Sequence, residues 1–106
     1  MTKITFYKDK GFYTGYTFEG HAMYNIDGPD ILCSAVSMAG QMTLNGLNSI
    51  AKVKTDVKVC NGHLAVGFKS ESSIAQAFVE SLKQAVNMLC KQYDGFLSLS
   101  IIERGE

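Results

Sequence analysis

The feature that most constrains this fold is a stretch of 21 residues, Ile31 to Ala51, that contains no charged side chain. A stretch of this length is long enough to cross a bilayer as a helix. Seven of its side chains are nevertheless polar, and a lone helix facing lipid would leave them without partners. These are Ser34, Ser37, Gln41, Thr43, Asn45, Asn48 and Ser49. The stretch therefore predicts a buried helix in a domain that does not cross a membrane.

The residues before this stretch alternate between apolar and polar side chains, which is typical of strands. Thr2–Tyr7 forms the first alternating segment, and Phe12–Glu19 forms the second. The sequence between them, Lys8–Gly11, is typical of a turn. The two segments therefore predict a hairpin. Its second strand should carry four side chains on one face: Phe12, Thr14, Tyr16 and Phe18.

The residues after the uncharged stretch predict a second hairpin and a last strand. Val53–Val59 alternates, and Leu64–Phe68 alternates after it. The dipeptide Asn61-Gly62 between them is a strong signal for a two-residue hairpin turn. Phe96–Glu103 alternates again near the end of the chain.

Two helices complete the pattern. The first helix follows Gly28-Pro29, and its apolar residues recur at roughly helical spacing. The second helix lies between Ser70–Ser73 and Asp94-Gly95, and its apolar residues recur regularly. We expect the methionines of both helices to fill the core. The first stripe is Ile31, Ala35, Met38, Met42 and Leu47, the second is Ile74, Phe78, Leu82, Val86 and Leu89, and the methionines are Met38, Met42 and Met88.

The element order is therefore β-β-α-β-β-α-β. This order predicts an α+β fold, in which a mainly antiparallel sheet packs against two helices. A length of 106 residues fits one domain spanning residues 1–106.

Charge and cysteine content exclude several classes of function. Ten basic residues are cancelled by ten acidic ones, so no strong positive field is present to hold nucleic acid directly. Three widely spaced cysteines form no disulfide framework and indicate a reducing compartment. No signal peptide is expected, because no long apolar run follows the first positive charge.

A histidine and a cysteine flank the start of the first helix. His21 follows the second strand, and Cys33 lies 12 residues later in the first turns of the helix. The positive helix N-terminus favours a thiolate, and a nearby imidazole can accept the thiol proton. Asp30, three residues before Cys33, would either orient His21 or cap the helix. The pattern is also compatible with a core cysteine and a hydrogen-bonding loop histidine.

A second cysteine and histidine, Cys60 and His63, flank the Asn61-Gly62 turn. Their spacing resembles half of a zinc site, but no complete set of four ligands is evident, so we expect no metal. We also expect no catalytic pair here, because a hairpin tip should offer neither a pocket nor a helix terminus. No phosphate-binding glycine loop is present, and no cofactor is expected.

At Gly20–Ala22 and Gly28–Ser37 the sequence resembles the ribosomal-processing cysteine protease family (Prp). Its signature is a Gly-His-Ala step followed by Gly-x-Asp-Ile-Val-Cys-Ala-Ala-Val-Ser, with the same interval between histidine and cysteine. The resemblance implies that Cys33 is the nucleophile, His21 is the general base, and Asp30 fills the family's acidic position. The motif also places five residues at the substrate or its loop: Gly20, Ala22, Gly28, Ser34 and Ser37.

The resemblance further implies a cytoplasmic, homodimeric cysteine endopeptidase. Its substrate would be the precursor of large-subunit ribosomal protein twenty-seven, from which it removes an N-terminal extension. Leu32 and Ser34 replace the common valine and alanine of the signature. Met23 stands where many members have a small residue, which affects the expected substrate specificity more than the expected activity.

Three functional hypotheses follow from these residues. In the first, Cys33 and His21 cleave an extended peptide, and the loop Ala22–Gly28 closes over it. In the second, the protein is a ribosome-associated or assembly factor without enzymatic activity, and Cys33 is inert. In the third, Cys33 is a thiol redox sensor, although the sequence shows no resolving cysteine near it.

Overall fold

The computed structural model describes residues 2–20, 29–60 and 62–104, with only the backbone described at positions 29–31 and 33. Five strands and two helices follow one another in the predicted order β-β-α-β-β-α-β. The first helix, α1, continues into one π-helical turn, Gly46–Ile50. The elements are β1 (Thr2–Asp9), β2 (Phe12–Glu19), α1 (Pro29–Asn45), β3 (Thr55–Cys60), β4 (His63–Phe68), α2 (Ser73–Gln92) and β5 (Leu97–Arg104).

The strands form one mixed sheet in the order β3-β4-β2-β1-β5. Every neighbouring pair is antiparallel except β1 and β5, which run parallel from Thr2 opposite Leu97 to Asp9 opposite Arg104. The predicted α+β class and its mainly antiparallel sheet are therefore confirmed.

Both helices cover the same face of this sheet. The Phe6 ring lies 6.1 Å from the Tyr13 ring and 6.2 Å from the Tyr16 ring, so these three side chains share that face. Tyr16 donates its hydroxyl to the Gly40 carbonyl of α1 at 3.0 Å, and Tyr13 donates its hydroxyl to Glu80 of α2. The core lies between the two layers and includes Ile4, Phe6, Tyr16, Leu47, Val66, Val79, Leu82 and Val86.

A β-bulge at Thr14 shifts the alternation of β2. Tyr7 lies opposite Gly15, but Lys8 lies opposite Tyr13, so Thr14 is an extra residue on β2. The extra residue turns Tyr13 to the buried side and leaves Phe12 37% exposed. The prediction that Phe12 and Thr14 share a face with Tyr16 and Phe18 is therefore wrong.

The buried face of α1 also differs from the predicted stripe. Ala35, Met38 and Met42 are exposed, with Met38 at 64% and Met42 at 68%, and only Leu47 of the described stripe residues is buried. The Ile31 side chain lies outside the described residues. The face that packs on the sheet instead consists of Leu32, Val36, Gly40, Thr43 and Leu47.

Close packing of α1 on the sheet explains this rotation. A Cβ atom at Gly40 would lie 2.7 Å from Cε2 of Phe18 and 3.2 Å from Cδ2 of Leu64. The helix therefore approaches the sheet through a small residue, and the long methionine side chains of α1 point away from it. The expected burial of Met88 in α2 is wrong as well, because this side chain is also exposed.

The predicted apolar stripe of α2 faces the core along most of its length, but not at its first residue. Leu82 and Val86 are buried, and Phe78 and Leu89 pack partly buried against the core, but Ile74 is exposed. The helix is capped by Ser72, whose side chain accepts the Ala75 N–H at 3.1 Å. This cap lies within the predicted Ser70–Ser73 segment. Among the described residues, neither helix is long and apolar enough to cross a bilayer.

Polar contacts of Tyr13 fasten the first hairpin to α2. Gln76 accepts the Tyr13 N–H at 2.7 Å through Oε1 and donates Nε2 to the Tyr13 carbonyl at 3.0 Å. The hydrogen bond donated by the Tyr13 hydroxyl lowers the pKa of Glu80, with a further contribution from Gln84. Burial and the Glu80 carboxylate raise the pKa of Tyr13.

The lowered pKa of Glu80 predicts an acid-sensitive contribution to stability. Because the folded-state pKa lies below the unfolded one, the contribution is complete above the unfolded pKa and is lost as pH falls through the folded pKa. We expect Tyr13→Phe to lower the free energy of unfolding by about 1 kcal/mol at pH 7 and by less at pH 2. Urea unfolding of both proteins at each pH measures the difference, and an equal loss at pH 2 and pH 7 would contradict the assignment.

Candidate active site

The motif identified in the sequence leads from the end of β2 into α1. His21, Ala22 and Gly28 lie outside the described residues, as does the predicted closing loop Ala22–Gly28. The described part of the candidate site therefore consists of Gly20, the start of α1 and the side chains around them.

Gly20 closes β2 with a φ of 90°, a conformation that favours glycine. Its N–H donates to the Gly62 carbonyl at 2.8 Å, which fastens the end of β2 to the tip of the β3–β4 hairpin. The predicted base, His21, thus follows a residue whose backbone is held in place from two sides.

α1 begins at Pro29, a residue well suited to the first helical position because its missing N–H has no helical partner there. Asp30 and Cys33 both lie in the first turns of this helix. The N–H groups of these turns lack intrahelical partners, and the helix end carries partial positive charge. The start of α1 therefore favours negative charge near it, which is the property that the predicted roles of Cys33 and Asp30 require.

A cavity of about 220 Å³ lies beside this part of α1. Ser37 and Gln41 line it from the helix, four and eight residues after Cys33. Residues at this spacing share one face of a helix, so position 33 lies on the cavity side of α1. The other lining residues are Thr2, Phe18, Gly20, Val36, Val59, Cys60, Gly62, His63 and Leu64.

The two serines of the motif differ in their relation to this cavity. Ser37 is exposed and lines it, whereas Ser34 is exposed and is not among the lining residues. Gln41 was not singled out in the sequence, although its spacing of eight residues from Cys33 is the signal that would have found it.

The hairpin tip contributes to the same cavity. Cys60, Gly62 and His63 all line it, so the expectation that the tip offers no pocket is wrong. The reason is the sheet order, which places β4 next to β2 and brings the tip beside Gly20. His63 Nδ1 lies 3.5 Å from Glu19 Oε2 on the neighbouring strand. In the described part of the chain, no three His, Cys, Asp or Glu residues are grouped as metal ligands.

The thiols of Cys60 and Cys90 have different environments. Cys60 is exposed at the cavity, whereas Cys90 is half-buried in α2. Burial raises the pKa of the Cys90 thiol, which makes it a poor nucleophile at neutral pH. Cys90 therefore serves as an internal reference for an unreactive thiol.

A larger cavity of about 680 Å³ lies at the opposite end of the sheet, around the β1–β2 turn. Lys10 and Phe12 line it from that turn, and Lys69 lines it from the end of β4. Among the described residues that line it, none is a cysteine or a histidine. The smaller cavity is therefore the one on the side of α1 where the predicted nucleophile is located.

Solved structures share this fold over nearly the whole chain. SMU.848 from Streptococcus mutans superposes with a TM-score of 0.90 at 20% identity, covering 98% of this chain and 99% of that chain. The essential ribosomal processing protease Prp from S. aureus, in complex with a covalently linked product peptide, gives a TM-score of 0.87 at 18% identity. The same protease with a substrate peptide gives 0.87 at 17%, and both cover 95% of this chain and 99% of that chain.

The chain matches a family model of the cysteine protease class. Residues 1–98 match the family described as cysteine protease Prp, and the chain belongs to this family. The predicted family and enzyme class are thereby confirmed. Among curated proteins, no sequence matches this chain significantly.

Proposed function

We propose that this protein is an endopeptidase that removes the N-terminal extension from the precursor of large-subunit ribosomal protein twenty-seven. The observation that carries the proposal is the family match over residues 1–98, which includes the complete Gly20–Ser37 motif. The S. aureus member of the same fold is a ribosomal processing protease and was solved with substrate and product peptides.

In the proposed mechanism, Cys33 loses its proton to His21 and attacks the scissile carbonyl. The resulting tetrahedral intermediate collapses to a thioester, and the amine product leaves with a proton from His21. A water molecule, deprotonated by His21, then hydrolyses the thioester and releases the new carboxylate. N–H groups at the start of α1 stabilise the oxyanion, each contributing about 3 kcal/mol to lowering the barrier.

The other motif residues support these two. Asp30 orients His21 or stabilises the start of α1 through its charge. Gly20 and Gly28 flank the loop that closes over the substrate, and Ala22 lies within it. Ser34 and Ser37 contact the substrate or its loop, and the position of Ser37 at the cavity supports this role.

We further propose that residues 1–106 form a single domain and that the protein acts as a homodimer in the cytoplasm. The exposed apolar side chains of the two helices support self-association, because contact between two copies would remove them from water. These side chains are Met38, Met42, Ile74 and Met88.

Mass spectrometry of a precursor peptide incubated with the protein tests the proposed activity directly. The expected result is a single cut at one site, which also defines the residues on either side of the cleaved bond. Folded protein that leaves the cognate peptide intact would contradict the proposal.

Alkylation separates the protease from an inert assembly factor. In a Cys60→Ser, Cys90→Ser background, we expect Cys33 to react with iodoacetamide near neutral pH about tenfold faster than an ordinary thiol. The reaction should slow in His21→Ala. Labelling that requires denaturant would contradict a thiolate at Cys33 and favour the assembly factor.

The same background variant addresses the redox-sensor hypothesis. A sensor needs a resolving thiol, and this variant has neither Cys60 nor Cys90. Full cleavage activity in Cys60→Ser, Cys90→Ser would therefore assign Cys33 to proteolysis.

A further inference from the structure

The outer edge of β3 presents backbone groups that no described strand pairs with. β3 is the first strand of the sheet, and β4 is its only neighbour among the described residues. The hydrogen bond from the Gly20 N–H to the Gly62 carbonyl determines which residues of β4 direct their backbone N–H and C=O groups towards β2. Because the bonded residues of an antiparallel pair alternate, Leu64 and Val66 bond to β2. Their partners on β3, Val59 and Val57, therefore direct N–H and C=O groups outwards.

The side chains of the same two residues lie on the helix side of the sheet without being covered. Val57 pairs with buried Val66, and Val59 pairs with buried Leu64, so all four share that face. Yet Val57 is 43% exposed and Val59 is 67% exposed. At the other edge of the sheet, Leu97 of β5 is buried and Leu99 packs against the core. The helical layer thus leaves the apolar side chains of β3 uncovered, whereas on β5 it leaves Ile101 exposed further along the strand.

This edge leads into the candidate active site. Val59 and Cys60, at the end of β3, line the same cavity as Ser37 and Gln41 of α1. Cys33 lies one turn before Ser37 on that face of the helix. An extended peptide placed along β3 would therefore continue into the cavity and towards the position of the nucleophile.

The edge lacks three of the features that normally prevent strand pairing, which are a proline, a bulge and an inward-pointing charge. β3 contains no proline, and its register with β4 is continuous from Thr55 to Cys60. The charged residues Asp56 and Lys58 alternate with the two valines and therefore lie on the opposite face of the sheet. Exposed edges are usually blunted by bulges, prolines or inward-pointing charges.

We propose that β3 is the docking strand for the substrate peptide, which adds to the sheet as a sixth strand next to it. The N–H and C=O groups of Val57 and Val59 bind the peptide backbone, and their side chains contact apolar side chains of the substrate. This inference rests on the proposed function, because it concerns the substrate of the same site. Specificity then depends on alternate residues of the substrate, which point towards the helix side.

Removal of a single backbone donor tests the docking strand. Val59→Pro deletes an N–H that points away from β4, so the ladder with β4 is kept. For a precursor peptide of about twelve residues, we expect KM to rise about tenfold with kcat nearly unchanged. Val59→Thr keeps the N–H and changes only the side-chain contact, so its KM should rise by clearly less than that of Val59→Pro. Ile101→Thr, an exposed apolar residue on β5, is the matched control at the other edge.

N-methylated substrate peptides test the complementary hydrogen bonds of the same strand pairing, those donated by the peptide, on the native protein, which avoids any folding defect of the proline variant. Methylation of every second backbone nitrogen should raise KM, whereas methylation of the intervening ones should not, because strand pairing has a period of two. In Val59→Pro, methylation of the peptide nitrogen that faces position 59 should still raise KM, because this N–H donates to the carbonyl of residue 59, which the substitution leaves in place.

The outcomes separate this inference from the proposed function. Two results together would overturn the assignment of β3 as the docking strand: Val59→Pro cleaves with an unchanged KM, and the methylated peptides show no period of two. The proposed protease activity would then still stand. A variant that loses self-association but keeps its KM would assign the edge to a second copy of the chain and overturn the inference. No cleavage by the native protein, with Cys33 unreactive towards iodoacetamide, would overturn the protease itself.

Discussion

Cys33→Ala is expected to reduce the rate of precursor cleavage by about 10³-fold or more, because the covalent pathway is lost with the thiol. The substrate should still bind, since the cavity and the edge of β3 are unchanged, so KM should remain within a few-fold of the native value. Steady-state cleavage, followed by mass spectrometry of the product, gives both constants.

Cys90→Ala is the matched control for this substitution. It removes a thiol of the same size from α2, where the side chain is half-buried and away from the candidate cavity. Its cleavage rate should stay close to the native rate. Cleavage by Cys33→Ala at a rate near that of Cys90→Ala would show that Cys33 is not the nucleophile.

Phe6→Ala is expected to lower the free energy of unfolding by about 3–5 kcal/mol, because Phe6 is fully buried between the sheet and the helices. Its ring packs near those of Tyr13 and Tyr16, so its removal leaves a cavity that two other large rings line. Urea unfolding, followed by circular dichroism, measures the change.

Phe12→Ala provides the comparison for this prediction. The bulge at Thr14 turns Phe12 to the surface, and we expect its substitution to cost less than about 1 kcal/mol. An equal loss of unfolding free energy in Phe6→Ala and Phe12→Ala would contradict the bulge. It would support the regular alternation of β2 that the sequence predicts.

The predictions from sequence were most accurate where a local pattern decides the structure. Period-two alternation and the Asn61-Gly62 turn located the strands, and Pro29 marked the start of α1. The order of the elements followed from these signals alone. The strand order of the sheet did not, because it depends on contacts between residues far apart in the chain, such as Thr2 opposite Leu97.

The predictions failed where packing overrides local pattern. Apolar residues occur all round α1, so the helical spacing of Ile31, Ala35, Met38, Met42 and Leu47 predicted the wrong core face. The sheet instead selects the face with Gly40, because only a small residue fits against Phe18 there. Similarly, the sequence of β2 alternates regularly through Thr14. Only the pairing of β1 with β2 shows that this residue forms a bulge.

The candidate site was accessible from the sequence through its motif rather than through its geometry. The spacing of His21 and Cys33 suggests a pair, but it does not reveal that Ser37, Gln41 and Val59 share one cavity. That grouping depends on the approach of α1 to the end of β3. It is therefore a property of the tertiary fold.

The parallel pairing of β1 with β5 has a consequence for how the chain reaches this fold. The two strands adjoin along their whole length, although 95 positions separate Thr2 from its partner Leu97. Contacts of such long range form late and slow the folding of a small domain. Until β5 arrives, one edge of β1 is open beside the apolar residues Ile4 and Phe6. The incomplete chain consequently exposes an additional strand edge that favours aggregation, and the last strand covers it.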